Sequence, residues 1–371
     1  MTSSVVVVGA GVLGSSLADR LARSGWAVTH VEQFSPGHVR SGSGDESRLI
    51  RASHGDDELH ARMSRRALEL WRELDPRLVS PAGVAWFARR ADGWEAASER
   101  VLTRLGIPNE RVDPAQLFPS VNADDLAFTL LEPEAGLLRA REGVRALADR
   151  AVAAGAQRVT AVARPDGERV VLDDGRVLEA DHVVWACGAW MAALFGDVLD
   201  LRITHQDVYY FGAGGHWAAP GVPGWVDFDG AAYGMGDLDG RGVKVGPDVE
   251  GPGVESLTAE RRNSPELERV ARAYLAHRFP GLAGAPLVGS RVCQYEMTPD
   301  ERFVVSPHPV HGGRVWLVGG GSGHAFKHGP ALAERLEAWM AGSEEPEACF
   351  TLGKHRRHDV QLRTGGTPLS S

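Results

Sequence analysis

The sequence predicts an α/β fold with an α+β second domain, and three observations predict it. The apolar run Val5-Val-Val-Val8 leads straight into the glycine turn Gly9-Ala-Gly-Val-Leu-Gly14. A second strand, Val315-Trp-Leu-Val318, enters another glycine turn far down the chain, Gly319-Gly-Gly-Ser-Gly323. Between them, residues 212–253 are rich in glycine and aromatics and carry short strand candidates instead of strand–helix alternation. At 371 residues the chain exceeds the size at which one hydrophobic core stops growing, so two domains are expected.

The elements follow in order. Residues 5–8 read as a parallel strand buried on both faces. Over 15–24, Leu17, Leu21 and the alanines keep helical spacing, Gly25 closes the helix, and 27–31 is the next strand. Residues 59–74 form a helix, and Pro76 and Pro81 break the chain after it. The stretch 83–132 mixes short strands with a helix at 94–105. A helix from about 142 to 154 precedes short strands near 159–162 and 170–172, the turn Asp173-Asp-Gly-Arg176, and a buried strand that ends in the small-residue turn Ala186-Cys-Gly188. Strand candidates at 225–228, 231–235 and 243–245 come next. Ser264 with Pro265 starts a helix that Pro280 stops, and a last helix covers 330–340. The tail after Gly353 is polar, with its last eight or so residues expected to be mobile.

Composition excludes several classes of function. With 43% apolar and 24% charged residues the chain is an ordinary globular one, and a net charge of −9 argues against nucleic acid or an anionic membrane as partner. Three widely spaced cysteines, Cys187, Cys293 and Cys349, suit a reducing compartment and give no metal-ligand pattern, so no metal is expected. The first apolar run lacks preceding basic residues and is too short for a bilayer, which predicts a cytoplasmic protein without a signal peptide.

The first strand, glycine turn, helix and second strand form a dinucleotide-binding unit. Gly9 makes the tight turn, Gly11 lets backbone approach a pyrophosphate, Gly14 sits where helix meets strand, and Glu32 ends the second strand to accept ribose hydroxyls. Nucleotide-type segments also occur in the middle and at the far end, with two inserts between them. A nicotinamide site is normally completed in one contiguous domain, whereas the longer FAD passes several distant segments, so the interleaving favours FAD.

The block Ser43-Gly-Asp-Glu-Ser-Arg-Leu-Ile-Arg51, the run Arg291-Val-Cys-Gln-Tyr-Glu-Met-Thr-Pro-Asp-Glu-Arg-Phe303 and the turn Gly323-His-Ala-Phe-Lys327 complete the pattern. Together with the glycine turn they resemble the monomeric sarcosine oxidase and N-methyltryptophan oxidase family of flavin amine oxidases, over nearly the full length. The resemblance implies a Rossmann-like FAD-binding domain (1–80, 140–205 and 291–371) and a discontinuous substrate domain on a mixed or antiparallel sheet (81–139 and 206–290). It implies that Arg48 lies against the flavin, that Arg51 and Lys327 bind the substrate carboxylate, and that Lys244 activates oxygen. Tyr233 and Tyr295 resemble pocket tyrosines, with packing as the alternative for either. Cys293 would carry FAD covalently as a thioether; by residue type alone it would be a core cysteine. The cofactor contacts implied are Gly9, Gly11, Val12, Leu13, Gly14, Glu32, Gln33, Ser47, Arg48, Val162, Cys187, Gly188, Trp190, Cys293, Gly320, Gly321, Gly323, His324 and Lys327. For Cys187 a purely structural role stays equally open.

The implied reaction is oxidation of a carboxylate-bearing primary or secondary amine. A hydride goes to flavin N5, water hydrolyses the imine, and O2 is reduced to H2O2 by a monomer. Two alternatives stay open, a flavin dehydrogenase or deaminase with another electron acceptor and an NAD(P)-dependent reductase. The sequence also departs from the family. Ser43 and Gly44 replace histidines before the arginine block, and Asp248 stands four residues after Lys244 where sarcosine oxidase has a pocket histidine. The substrate is therefore as readily a larger or cyclic amino acid as sarcosine, with Asp248 either meeting a polar substrate arm or belonging to a turn.

Overall fold

A computed structural model describes residues 2–249, 251–254, 260–353 and 355, so most of the polar tail lies outside the described residues. Two sheets organise the chain. The first has six strands in the order Val304–His308, Gly312–Gly319, His182–Trp185, Ser4–Val8, Ala27–Glu32 and Gln157–Thr160. All neighbours are parallel except the antiparallel pair at the Val304–His308 edge. Every residue of Val5–Val8 is buried, because helices Val12–Arg23, Ala140–Ala153 and Gly329–Met340 cover one face and a cluster including Trp185, Met191 and Phe195 covers the other. This is the Rossmann-like sheet predicted from the apolar run.

The second sheet has eight strands in the order Leu287–Met297, Arg202–Phe211, Val243–Pro247, Ala232–Met235, Gly224–Asp227, Val84–Ala88, Phe128–Glu132 and Glu110–Val112. It is antiparallel except where Gly224–Asp227 meets Val84–Ala88. Side chains alternate across it. Ala85 and Phe87 enter the core under helix Pro265–Arg278, while Val84 and Trp86 face helix Trp94–Arg104 and the site. The sequence boundary drawn at 291 falls inside Leu287–Met297, and the one at 205 falls inside its partner Arg202–Phe211. Cys293 thus sits on a strand of the larger sheet, opposite Gln206.

The predicted helices form within a few residues of their expected ends, at Glu58–Leu74, Trp94–Arg104, Ala140–Ala153, Pro265–Arg278 and Gly329–Met340. Local chemistry sets two of the starts. Asp57 accepts from the His60 N–H, and Ser264 accepts from the Leu267 N–H ahead of Pro265. Arg202–Phe211 has no sequence signature, because Thr204, Gln206 and Asp207 are buried along it and erase the apolar alternation. Among the described residues no helix is long and apolar enough to cross a membrane.

Candidate active site between the two sheets

The cofactor cradle begins where Val8 gives way to Gly9. Gly9 has φ +105°, and a Cβ there would lie 2.4 Å from the Ala186 carbonyl oxygen, so only glycine fits this turn. His30 holds the turn from below, its Nε2 3.0 Å from the Gly9 carbonyl, and burial pushes that imidazole down to about 4, leaving it a neutral donor. Glu32 is fixed by two backbone donors, Ala10 N–H to Oε2 at 2.7 Å and Phe34 N–H to Oε1 at 2.9 Å. Helix Val12–Arg23 then points its N-terminus at the same space; its N-cap, Gly11, has no side chain to offer, and the Ser43 hydroxyl accepts from the Val12 N–H at 3.0 Å. The resulting cleft is lined by Gly9, Gly11, Val12, Leu13, Glu32, Gln33, Val162, Cys187, Gly188 and Trp190, and continues to Arg48, Tyr295, Gly321 and Gly323.

At the cleft's inner end the strand Ser47–Ile50 carries Arg48. One guanidinium nitrogen donates to Asp45 at 2.6 Å and to the Ser47 carbonyl at 2.8 Å; the other donates to the Gly42 carbonyl at 2.8 Å and lies 4.0 Å from the Cys293 sulfur. Burial pushes the Cys293 thiol up, and the Arg48 cation opposes that rise most. Lys244 sits behind Arg48. Its ammonium donates to Asp45 at 2.5 Å and to the Ser47 carbonyl at 2.9 Å, and it lines neither the cleft nor the cavity described next.

That smaller cavity adjoins the cleft, with a volume of about 90 Å³ against about 270 Å³. Arg51, Lys327, Tyr233, Tyr295, Asp248 and His324 line it, with Trp86, Trp94 and Phe228 as its aromatic wall. Trp94 stacks on Phe228 with centroids 4.8 Å apart, and Trp86 lies 4.8 Å from Trp94. Glu132 braces the wall and the loop after Arg51 by accepting from Trp86 Nε1 at 2.9 Å, Ala52 N–H at 2.7 Å and the Ser53 hydroxyl at 2.5 Å. Arg51 lies over the Trp86 ring at 5.1 Å, and burial pushes its guanidinium down to about 10 against the pull of Glu132 and Asp248. Lys327 is 3% exposed and donates to the His324 carbonyl at 2.9 Å. Burial, and next the Arg51 cation, hold it well below the usual lysine range. Two basic side chains therefore share one end of an aromatic cavity.

A family model described as FAD dependent oxidoreductase matches residues 4–339. The chain belongs to this family. It is an FAD-dependent oxidoreductase, and its relatives include monomeric sarcosine oxidase from Bacillus sp. (strain B-0618), 28% identical over 94% of this chain and 95% of that protein. N-methyl-L-tryptophan oxidase from Yersinia pestis (strain Pestoides F) is 26% identical over 96% of this chain and 100% of that one. Among solved structures, L-proline dehydrogenase from P. horikoshii superposes with a TM-score of 0.81 at 20% identity, covering 92% of this chain and 94% of that one. NikD, an amino acid oxidase essential for nikkomycin biosynthesis, gives 0.78 at 22%, covering 95% and 98%. These likenesses fit a Rossmann-like FAD domain joined to a substrate domain.

The residues present suit FAD. Glu32 holds its acceptors at the nucleotide end, and a Cβ at Gly188 would meet no atom within 4 Å but would enter the cleft. Of the cofactor residues expected from sequence, Ser47 and Gly320 lie behind the lining; Gly14 supports the turn, and Cys293 is buried beside Arg48. Burial pushes the Cys187 thiol up, and it donates to the Val8 carbonyl at 3.4 Å.

Sequence reasoning passed over Glu296, a cleft residue pushed up to about 7 by burial against the Gly321 and Gly320 N–H groups. It lies inside the Cys293–Phe303 run, and a carboxylate among apolar strand residues is the signal that could have flagged it. Also unforeseen is a group of buried histidines, His54, His324 and His328, the one set among the described residues that could hold a metal. Two of their tautomers are fixed, because His54 Nδ1 meets the Ala52 carbonyl at 2.9 Å and His324 Nε2 meets the Glu301 carbonyl at 2.8 Å. The adjoining Lys327 and Arg51 cations oppose a further cation there.

Proposed function

We propose that the chain is an FAD-dependent oxidase of a carboxylate-bearing primary or secondary amine, acting as a cytoplasmic monomer with FAD bound covalently through Cys293. The observation that carries this reading is the Arg51–Lys327 pair at one end of the aromatic cavity. Desolvation and mutual repulsion penalise charging both Arg51 and Lys327 in the empty cavity, and an anion between them relieves that penalty and favours the charged lysine. A substrate carboxylate supplies that anion. Its amine and α-carbon then point toward the cleft, where Tyr295 lines both spaces and Tyr233 lines the cavity.

FAD, when bound, supplies the two-electron oxidation of the carbon beside the amine. The chain's own residues do the rest. Arg51 and Lys327 fix the carboxylate, the Trp86–Trp94–Phe228 wall excludes water and receives the side chain, and Arg48 sets a cation against the cofactor. Burial, then the neighbouring Tyr295, keep the Tyr233 phenol well above its usual range, so it acts as a neutral hydrogen-bond donor. Stacked aromatic faces and the nearby Asp248 favour a bulky or cyclic amino acid with a polar or cationic arm over sarcosine.

The test is an anaerobic flavin-bleaching screen over sarcosine, N-methyl amino acids, pipecolate, proline and free L- and D-amino acids. Bleaching by carboxylate-bearing amines, with colour restored by air and H2O2 released, is the expected result. Bleaching only by amines lacking a carboxylate would remove Arg51 and Lys327 from the proposal. Bleached enzyme that air leaves colourless while an artificial acceptor recolours it would make the protein a dehydrogenase.

A further inference from the structure

Asp45 takes no part in the reaction proposed above, yet it is the hub behind the cleft. Its Oδ2 accepts from Lys244 Nζ at 2.5 Å and from Arg48 at 2.6 Å; its Oδ1 accepts from the Tyr210 hydroxyl at 2.6 Å and the Glu46 N–H at 2.8 Å. Both side chains of the Lys244–Asp45 pair are 1% exposed. We propose that Asp45 is a positioning residue that keeps the buried Lys244 protonated and ties it to Arg48, so that the charge available to the cofactor's oxygen reaction belongs to a Lys244–Asp45–Arg48 unit. The pairing stands on geometry alone; only its use in oxygen reduction rests on the oxidase reading.

An ammonium on strand Val243–Pro247, between the fully buried Val243 and Val245, has lost its hydration and must recover that energy from neighbours. The groups facing it are few. Arg48 repels it, the neutral Tyr210 ring lies 5.9 Å away, and the Cys293 thiol is kept largely protonated by burial. A polar cavity on its flank adds Arg139, Arg141, Arg145 and Arg241 against Glu46, Glu142 and Asp239, but Arg139 engages Asp239 at 2.7 Å and Arg141 engages Glu46 at 3.1 Å. Among the described residues this leaves Asp45 as the carboxylate in direct contact. Even with it, burial holds the Lys244 ammonium below the usual lysine range, while Asp45 itself is driven far down by Lys244 and Arg48 despite its own burial.

A fixed cation lowers the cost of giving oxygen its first electron. In the full exchange the reduced cofactor loses two electrons and one proton, solvent gives a second proton, and O2 becomes H2O2. With Asn at 45 the lysine stays buried beside Arg48 without its counter-charge, and it sheds its proton in the folded protein at a lower pH.

The experiment compares flavin-loaded wild type, Asp45→Asn, Lys244→Met and the double variant, each by thermal melting and by reoxidation after anaerobic reduction. A folded-state lysine value moved further below its unfolded value makes stability rise with pH across the gap and leaves it level, at its lowest, below it. Asp45→Asn should thus melt below wild type and regain up to about 2 °C per pH unit as pH rises toward the ordinary lysine range, a slope that Lys244→Met in the same background abolishes. Its reoxidation should fall over the same range toward the Lys244→Met rate, roughly a hundredfold below wild type. An Asp45→Asn protein whose melting slope matches wild type overturns the pairing. A proper melting slope with flat, fast reoxidation overturns the use of the charge in oxygen reduction. Wild-type enzyme that oxygen does not reoxidise would sink the oxidase reading instead, and the melting arm would still decide the pairing.

Discussion

Arg51 and Lys327 illustrate how a side chain's environment states its task. Both line one cavity, Lys327 buried and Arg51 half-buried, and both are pushed down, chiefly by desolvation. Arg51→Ala should raise KM for carboxylate substrates by roughly tenfold to a hundredfold, the usual value of a charge-assisted contact, and leave KM for the corresponding amides nearly unchanged. A second outcome follows from the direction of the Lys327 shift. An anionic ligand gives Lys327 a partner and raises it, so binding takes up a proton. Affinity is then full below the free-enzyme value and weakens as pH rises through it, by up to about tenfold per pH unit for one proton. Titrating a non-oxidisable carboxylate ligand at several pH values measures this, and a pH-independent Kd would mean that Lys327 already carries its proton when the cavity is empty.

At the scale of the element, the turn between Ser4–Val8 and Val12–Arg23 shows why much of the cradle was legible in sequence. A Cβ at Gly14 would lie 1.9 Å from the Gly9 carbonyl oxygen, so helix and strand can meet only if that position is glycine. Gly14→Ala is expected to cost about 1–3 kcal/mol through overpacking and to weaken flavin retention, read by melting temperature and by flavin content after purification. Such local necessities leave a mark in the sequence: a glycine spacing, an apolar run, a Ser-Pro helix start. What left no mark was long-range pairing. Nothing in the block 43–51 marks Asp45 as a hub, because its partners Lys244 and Tyr210 are 199 and 165 residues downstream. Trp86 likewise belonged to an anonymous stretch of mixed strands. Its role at the cavity wall depends on the parallel register of Val84–Ala88 against Gly224–Asp227, which no residue spacing encodes. The buried polar residues of Arg202–Phe211 hid a ten-residue strand for the same reason, since their partners, such as the Ser264 N–H on Asp207, are remote.

For the molecule as a whole, the strand Leu287–Met297 is the hinge of the design. It pairs along the edge of the eight-stranded sheet, yet its far end delivers Gln294, Tyr295 and Glu296 to the cleft that the six-stranded sheet cradles. A thioether at Cys293 would therefore fasten the flavin to one sheet while its nucleotide end rests on the other, and bound cofactor would resist separation of the two layers as well as its own loss. Cys293→Ala should consequently do two things that a simple core truncation would not. Flavin should leave the polypeptide on acid precipitation, and the loaded variant's melting temperature should become dependent on free FAD concentration, rising as FAD is added, because its stabilisation now follows mass action. Wild type should keep its colour through precipitation and melt at the same temperature with or without added FAD. Quantitative release of colour from the wild-type protein would leave the fold and the substrate cavity as described and reduce Cys293 to a buried thiol beside Arg48.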